Sequence, residues 1–73
     1  MSPALPIVSG AEVIRVLAKV GFEQSSQRGS HVKLRHTNGR VAIVPLHREL
    51  ARGTLRSILR QAGISAEEFA ALI

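Results

Sequence analysis

The hydrophobic pattern of the chain starts with a helical stripe. After Glu12, apolar residues recur at three- and four-residue spacing, which is typical of one face of an amphipathic helix. Ser9 and Glu12 have the spacing of a capping box, in which each side chain accepts the backbone N–H of the other residue. Gly21 follows the stripe, at the kind of position where helices commonly end. The pattern therefore predicts a first helix from about Gly10 to Val20.

The next stretch alternates between apolar and polar residues, as strands do. Residues 23–28 are polar and weakly patterned, and a strand there depends on the clear alternation of residues 31–36. One face of this second strand would carry Val32 and Leu34, and the other would carry His31, Lys33 and Arg35. The strand therefore separates its apolar side chains from its basic ones.

A hairpin turn is predicted where Asn38 and Gly39 follow the alternating stretch, because this pair suits a type I′ turn with two loop residues. Residues 41–46 then form the returning strand, and Pro45, which has no N–H, places it at a sheet edge. The predicted opposite pairs are Leu34 with Ile43, Lys33 with Val44, and His31 with Leu46. This register buries Val32, Leu34, Val41 and Ile43, and leaves Val44 and Leu46 on the open face.

A second amphipathic stripe follows a charged connector. Its apolar positions are Leu55, Ile58, Leu59 and Ala62. Thr54 is the predicted N-cap of this helix and Gly63 its end. Ser65 and Glu68 form a second capping box, which opens a short last helix to about Leu72. Helices that cover one face of an antiparallel sheet make a two-layer α+β sandwich, with residues 1–6 as an arm and 7–73 as the single domain.

The composition of the chain limits the kinds of active site that it can form. The chain has ten Lys and Arg against five Glu, no Asp and no Cys, and a net charge of +5. The missing cysteines exclude disulfides, thiolate zinc sites and a cysteine nucleophile, and the scarce carboxylates disfavour a two-metal nuclease. His31 and His36 point to opposite faces of a strand and cannot share a metal, so neither metal nor cofactor is expected. No run is apolar and long enough to span a bilayer, and the cytoplasm is the expected compartment.

The basic surface indicates a polyanionic partner, and the residues around His31 fit RNA. RNA carries its own nucleophile, the 2′-hydroxyl, so that cleavage needs only a base, an acid and cations near the phosphorus. Imidazole can serve as base or acid near neutral pH. Arg28, Lys33 and Arg35 could hold the phosphate, while Gly29 and Ser30 leave room for it and offer a hydroxyl or amide. His47 is a possible auxiliary group near His31.

Plainer interpretations stay open at this point. The Gly29-Ser30 pair could be only a hairpin loop, and both His31 and His47 could be solvated residues without a catalytic role. Arg48, Arg52, Arg56 and Arg60 recur every four residues, which suits either a solvated helix face or contacts with RNA phosphates. With no Trp or Tyr, the chain lacks the aromatic platforms of single-strand binders.

Several stretches together resemble the HicA (YcfA-like) toxin family. They are Gly21-Phe22, Arg28-Gly29-Ser30-His31, Val44-Pro45-Leu46-His47 and the segment from Gly53 to Gly63. The resemblance implies a double-stranded-RNA-binding-domain-like fold and a metal-independent mRNA interferase whose essential histidine is His31. It also implies neutralisation by a HicB antitoxin that covers the active face, with no DNA expected as a partner of the toxin alone and no membrane.

The sequence is also compatible with two functions other than ribonuclease activity. A non-catalytic double-stranded-RNA-binding module would use the same fold and basic face. A protein-docking surface would draw on the apolar residues Val44 and Leu46 of the open face.

Overall fold

A three-stranded sheet lies between helices in the chain order. The computed structural model describes residues 5–73 of the 73-residue chain. Its elements are α1 (Gly10–Lys19), β1 (Glu23–Arg28), β2 (His31–Arg35), β3 (Val41–Pro45), α2 (Arg52–Ala62) and α3 (Ala66–Leu72). The predicted order of helix, three strands, helix and short helix is therefore confirmed.

Both predicted capping boxes are present. In α1 the Glu12 N–H donates to the Ser9 hydroxyl at 3.1 Å, and the Ser9 N–H donates to the Glu12 carboxylate at 3.0 Å. In α3 the Glu68 N–H donates to the Ser65 hydroxyl at 3.0 Å, and the Ser65 N–H donates to the Glu68 carboxylate at 3.1 Å. These bonds satisfy donors that a helix start leaves free, so each box defines where its helix begins.

The start of α2 differs from the prediction. Thr54 is not the N-cap, because the helix begins at Arg52 with Ala51 as its N-cap and no side-chain hydrogen bond caps it. Just before this start, Leu50 is buried and its N–H donates to the Val8 carbonyl at 2.8 Å. The chain is therefore held in place just before Arg52. The helix begins there, three residues earlier than a helix capped by Thr54 would. The predicted end at Gly63 is confirmed.

The sheet has the order β1-β2-β3, with both neighbouring pairs antiparallel. The observed pairs of β2 and β3 are His31 with Pro45, Val32 with Val44, Lys33 with Ile43, Leu34 with Ala42 and Arg35 with Val41. The predicted pairs Leu34 with Ile43, Lys33 with Val44 and His31 with Leu46 are therefore wrong, each by one residue on β3.

The turn between these strands explains the shift. His36 pairs with Arg40, since the His36 N–H donates to the Arg40 carbonyl at 3.0 Å, and three residues rather than two form the loop. Gly39 has a φ of 93°, and no residue other than glycine has a positive φ within residues 5–73, so Asn38 does not adopt the type I′ conformation. Instead, the Asn38 side-chain oxygen accepts the Arg40 N–H at 2.9 Å.

A one-residue shift in register moves every side chain of a strand to the other face. Ala42 and Val44 are fully buried, whereas Ile43 is 38% exposed and Val41 is half-buried. The predicted burial of Val41 and Ile43 is therefore wrong, and so is the predicted place of Val44 on the open face. The burial of Val32 and Leu34 is confirmed, because it depends on β2 alone.

The core lies between this face of the sheet and the helices. The helices contribute Val13, Val16 and Leu17 from α1, Leu55, Ile58, Leu59 and Ala62 from α2, and Phe69 from α3. This arrangement confirms the two-layer α+β sandwich. Residues 1–4 of the predicted arm lie outside the described residues, while Leu5 is 9% exposed and belongs to the core.

His36 joins the first helix to the β2–β3 turn. Its Nδ1 accepts the Asn38 N–H at 3.0 Å, so Nε2 carries the proton and donates to the Val20 carbonyl at 3.0 Å. The edge of the imidazole also meets the Phe22 ring, with the ring centroids 5.1 Å apart. Both ring nitrogens of His36 are therefore engaged in hydrogen bonds within the fold.

Candidate active site

The candidate site is built on the hairpin that joins β1 to β2. Arg28 pairs with His31, which leaves Gly29 and Ser30 as a two-residue loop. Gly29 has a φ of 58° and Ser30 does not have a positive φ, a combination that matches a type II′ hairpin turn. The Gln27 side chain donates to the Gly29 carbonyl at 3.0 Å and steadies the loop. The turn thus holds Arg28 and His31 directly opposite each other.

The open face of the sheet gathers the basic residues of β2. His31 lies between Arg28 and Pro45, Lys33 between Ser26 and Ile43, and Arg35 between Glu23 and Val41. His31 and Arg35 are exposed and Lys33 is half-buried, whereas the alternate residues of β2 are buried. Same-face neighbours on a strand lie about 6.5 Å apart, so one phosphate group can lie within reach of His31 and Lys33 together.

An irregularity in β1 determines which of its side chains join this face. The register shifts between Gln24 and Ser26, so Ser25 is an extra residue in β1. The Ser25 hydroxyl donates to the Lys33 carbonyl at 3.3 Å. Because of the shift, Ser26 and Arg28 face the same side as Lys33 and His31. Every residue of β1 is polar and exposed, so the sequence has no apolar alternation that could have indicated this bulge.

Charge on the open face is uneven along β2. Glu23, the acidic residue of β1, pairs with Arg35 at the end far from the hairpin loop. At the other end, Arg28 pairs with His31, and Lys33 follows on the same face. The end of the face that holds His31 is therefore the more positive one, and it is exposed to solvent.

Ser30 and Gly29 differ in how much of each remains available to a ligand. The Ser30 carbonyl accepts the Leu46 N–H at 2.7 Å, so its backbone oxygen belongs to the sheet. Around Gly29, a Cβ would meet nothing within 4 Å. The space beside the loop that the sequence predicts for a close ligand is therefore present, and the Ser30 side chain is exposed next to it.

His47 lies at the same end of the sheet as His31. It follows β3 by two residues, and its carbonyl accepts the Gly10 N–H at 2.9 Å. The predicted register puts His47 one residue beyond the partner of His31, whereas the observed partner is Pro45 and His47 lies two residues beyond it. The His47 side chain is exposed and its backbone is anchored to the start of α1.

Two supports of the site were missed by sequence reasoning. A Cβ on Gly10 would lie 2.0 Å from the Pro45 carbonyl oxygen, so only glycine lets α1 approach the end of β3 this closely. On the far side of the strand, the Gln61 side chain accepts the Ile43 N–H at 2.8 Å and protects the sheet edge. The only signal for Gly10 was a glycine in a helical turn, where better helix formers are usual.

Apolar side chains border the basic face. Ile43 is 38% exposed beside Lys33, and Leu46 is 41% exposed just after β3. The sequence predicted that Val44 and Leu46 lie on the open face. The shifted register puts Ile43 there in place of Val44, and Leu46 lies beyond the end of β3. The open face thus joins a basic strand to an apolar margin, a combination found at protein interfaces.

Neither a metal-binding cluster nor a membrane-spanning helix occurs within residues 5–73. No group of three or more His, Asp or Glu side chains in this part of the chain comes together in a way that could hold a metal ion. In the same residues, no helix has both the length and the apolar character needed to cross a membrane.

Comparison with known proteins identifies the family. Among curated protein sequences, none matches the chain significantly. The family model of the HicA toxin of bacterial toxin-antitoxin systems matches residues 10–64, which extend from the first residue of α1 to just beyond the end of α2. This match covers most of the chain, including the β1–β2 hairpin and the whole sheet. The chain therefore belongs to the HicA toxin family of bacterial toxin-antitoxin systems.

Proposed function

We propose that this toxin is a metal-independent endoribonuclease that cleaves mRNA through His31. The observation that carries the proposal is the pairing of His31 with Arg28 at the exposed, positive end of the open face. Lys33 and Arg35 continue the same face. A phosphate bound there would meet an imidazole and several cations at once.

The chemistry uses the 2′-hydroxyl of the RNA as nucleophile. A base removes the proton of this hydroxyl, and its oxygen forms a bond to the adjacent phosphorus. The bond from phosphorus to the 5′-oxygen breaks, and an acid gives that oxygen a proton. The products are a 2′,3′-cyclic phosphate and a 5′-hydroxyl. His31 can act as the base or as the acid, since an imidazole can accept or donate a proton near neutral pH.

The cations of the open face would stabilise the reacting phosphate. Negative charge builds up on the non-bridging oxygens as the nucleophile attacks, and fixed positive groups lower the energy of that state. Arg28 lies directly across from His31 and can donate two parallel hydrogen bonds to a phosphate. Lys33 and Arg35 lie farther along β2 and would position the adjoining backbone. Ser30 and Gly29 leave the approach to His31 open.

His47 is the candidate for the second proton transfer. It is the other exposed imidazole at this end of the sheet, and its backbone is held by the bond to Gly10. Two histidines that act as base and acid would suffice for the reaction without a metal.

The partner of this toxin is proposed to be a HicB antitoxin. Membership of the family implies an antitoxin, and the open face offers it a basic strand beside the exposed side chain of Ile43, while Leu46 is exposed just after β3. An acidic partner that covered this face would block access to His31 and so neutralise the toxin. The substrate, mRNA, places the proposed action in the cytoplasm.

The experiment that tests the chemistry compares RNA with DNA of the same sequence. Purified toxin is incubated with each labelled strand in the presence of a chelator. The proposal predicts that the RNA is cut, that the DNA stays intact because it lacks the 2′-hydroxyl, and that the new ends are a cyclic phosphate and a 5′-hydroxyl. A requirement for added metal, or cleavage of the DNA strand, would contradict it.

The same experiment separates the enzyme from a double-stranded-RNA-binding module. Such a module would bind the RNA in a salt-sensitive way and leave it intact. Intact RNA after incubation with folded toxin would therefore overturn the proposed cleavage and favour the binding module.

A further inference from the structure

A row of arginines runs along the exposed side of α2. Arg52, Arg56 and Arg60 are all exposed, and we call them the α2 ridge. They recur every four residues, which places each about 6 Å further along the helix axis than the last. Arg48, which shares their spacing in the sequence, lies before α2 in the connector and is not part of the ridge.

The helix that carries the ridge has no acidic residue of its own. No Asp or Glu occurs between positions 50 and 66, which span the whole of α2. The basic residues of α1 are placed differently. Arg15 lies near the Glu12 carboxylate, and the Lys19 ammonium donates to the Leu72 carbonyl at 2.8 Å. Of these two helices, α2 is the one that presents a line of cations without an acidic neighbour on the same helix.

The ridge begins at the end of the molecule that holds the candidate site. β3 ends at Pro45, which pairs with His31, and the bonds of the connector to Val8 and Gly10 keep it at this end. α2 starts directly after this connector. Its other end lies by the β2–β3 turn, where the Arg40 guanidinium donates to the Gln61 carbonyl at 3.4 Å. The ridge therefore leads away from the His31 end of the domain.

The surface around the ridge fits a phosphate backbone better than a protein. The large apolar side chains exposed within residues 5–73 are Ile7, Ile43, Leu46 and Ile73, and none belongs to α2. Protein interfaces have an apolar or aromatic centre, which this face of α2 lacks. A nucleic-acid backbone needs only cations placed along its path, and α2 offers three at regular spacing.

We propose that the α2 ridge binds the phosphate backbone of the RNA substrate beyond the scissile phosphate. This inference rests on the proposed function, since the same RNA would be cut at His31. The substrate would then be a stretch of RNA long enough to contact both His31 and α2, recognised at the ridge by its backbone rather than by its bases.

The test compares two matched double variants in a His31→Ala background, which is expected to leave the RNA uncut. Arg56→Gln/Arg60→Gln removes a mid-helix arginine and a last-turn cation from α2, and Arg15→Gln/Lys19→Gln removes the same kinds of residue from α1. Binding of one labelled RNA is measured by fluorescence anisotropy over a series of salt concentrations. Circular dichroism and thermal unfolding check that both variants fold.

The ridge variant is expected to bind RNA about tenfold or more weakly at low salt, and to lower the slope of log K against log salt by about 2, one for each lost contact. The α1 variant is expected to change both quantities much less. Equal weakening by the two variants would show that only net charge matters and would overturn the inference. Unchanged affinity in the ridge variant would also overturn it and would favour an acidic protein as the partner of α2.

These outcomes are distinct from a failure of the proposed function. If the chain with His31 intact binds RNA through the ridge but leaves it uncut, the proposed cleavage is wrong and the ridge still binds RNA. If it cuts RNA and the ridge variant binds normally, the cleavage stands and the inference about α2 fails.

Discussion

Gly21 lies against His36, the imidazole that joins the end of α1 to the β2–β3 turn. A Cβ on Gly21 would come within 2.7 Å of Nε2 of His36, the atom that donates to the Val20 carbonyl. Gly21 also has a φ of 99°. Gly39, in the turn itself, has a similar φ of 93°, but a Cβ there would meet nothing within 4 Å. The two glycines therefore have similar positive φ angles and differ in their surroundings.

This pair predicts a graded loss of stability on substitution by alanine. Gly39→Ala is expected to cost about 1–2 kcal/mol, because an L-residue in the left-handed region is strained. Gly21→Ala is expected to cost about 1–3 kcal/mol more, since the methyl group also displaces His36. Thermal unfolding measures the difference, at about 4–8 °C per kcal/mol for a small domain. Equal melting temperatures for the two variants would contradict the proposed contact with His36.

At the level of helices and strands, local signals predicted most helix ends but missed the start of α2 and the register between β2 and β3. The capping boxes at Ser9 and Ser65 and the helix end at Gly63 were predictable, because each depends on residues a few positions apart. The β2–β3 register was not, since Asn38-Gly39 can close a loop of two or three residues. The more apolar Ile43 also fits a core better than Ala42, although Ala42 is the buried one.

The placement of the candidate residues was predictable where it depended on one strand. Alternation along β2 alone puts His31, Lys33 and Arg35 on one face, and the later shift in the partner strand does not change this. The pairing of Arg28 with His31 depends on a short local loop. The bulge at Ser25 had no signal, because every residue of β1 is exposed and polar.

The hydrogen bonds of the α1 capping box predict how the stability of the protein changes with pH. Hydrogen bonds from Ser9, its backbone N–H foremost, hold the pKa of Glu12 below its usual value, and the charge of Arg15 adds to this effect. The stabilising contribution is therefore present above the unfolded-state pKa near 4.5 and is lost as the pH falls through the lowered pKa of the folded state. The box should weaken as Glu12 is protonated.

Glu12→Gln provides the matched control, since its side-chain oxygen can still accept the Ser9 N–H but does not titrate. Urea unfolding is measured for both proteins from neutral pH to about pH 3. The advantage of wild type over Glu12→Gln in unfolding free energy is expected to shrink with falling pH, because the remaining carboxylates are common to both. An advantage that grows on acidification would have the opposite sign and would rule out this role for Ser9.

At the scale of the whole molecule, this basic domain of the HicA family presents His31 and the neighbouring basic side chains on one open face of the sheet. The same face carries the exposed side chain of Ile43, whereas the ridge of α2 carries only cations and polar groups. We propose different roles for the two surfaces: the open face would be shared by RNA and antitoxin, and the α2 ridge would be used by RNA alone. An antitoxin could then block cleavage by covering the sheet without contacting α2.

This division predicts the behaviour of the toxin in growing bacteria. Expression of the wild-type chain should arrest growth through loss of mRNA, and co-expression of its HicB antitoxin should restore growth. His31→Ala should leave growth unaffected, yet still bind the antitoxin in a pull-down because the rest of the face is intact. Growth arrest by His31→Ala as strong as that of wild type would mean that toxicity arises elsewhere in the chain.

The most direct measurement of the central claim is the rate at which wild type and His31→Ala cleave one labelled RNA in the presence of a chelator. His31 is exposed and makes no contribution to the core, so the variant should unfold at the same temperature as wild type. Loss of a general acid or base is expected to lower the cleavage rate by a factor of at least about 100. Cleavage by His31→Ala at the wild-type rate would contradict the account.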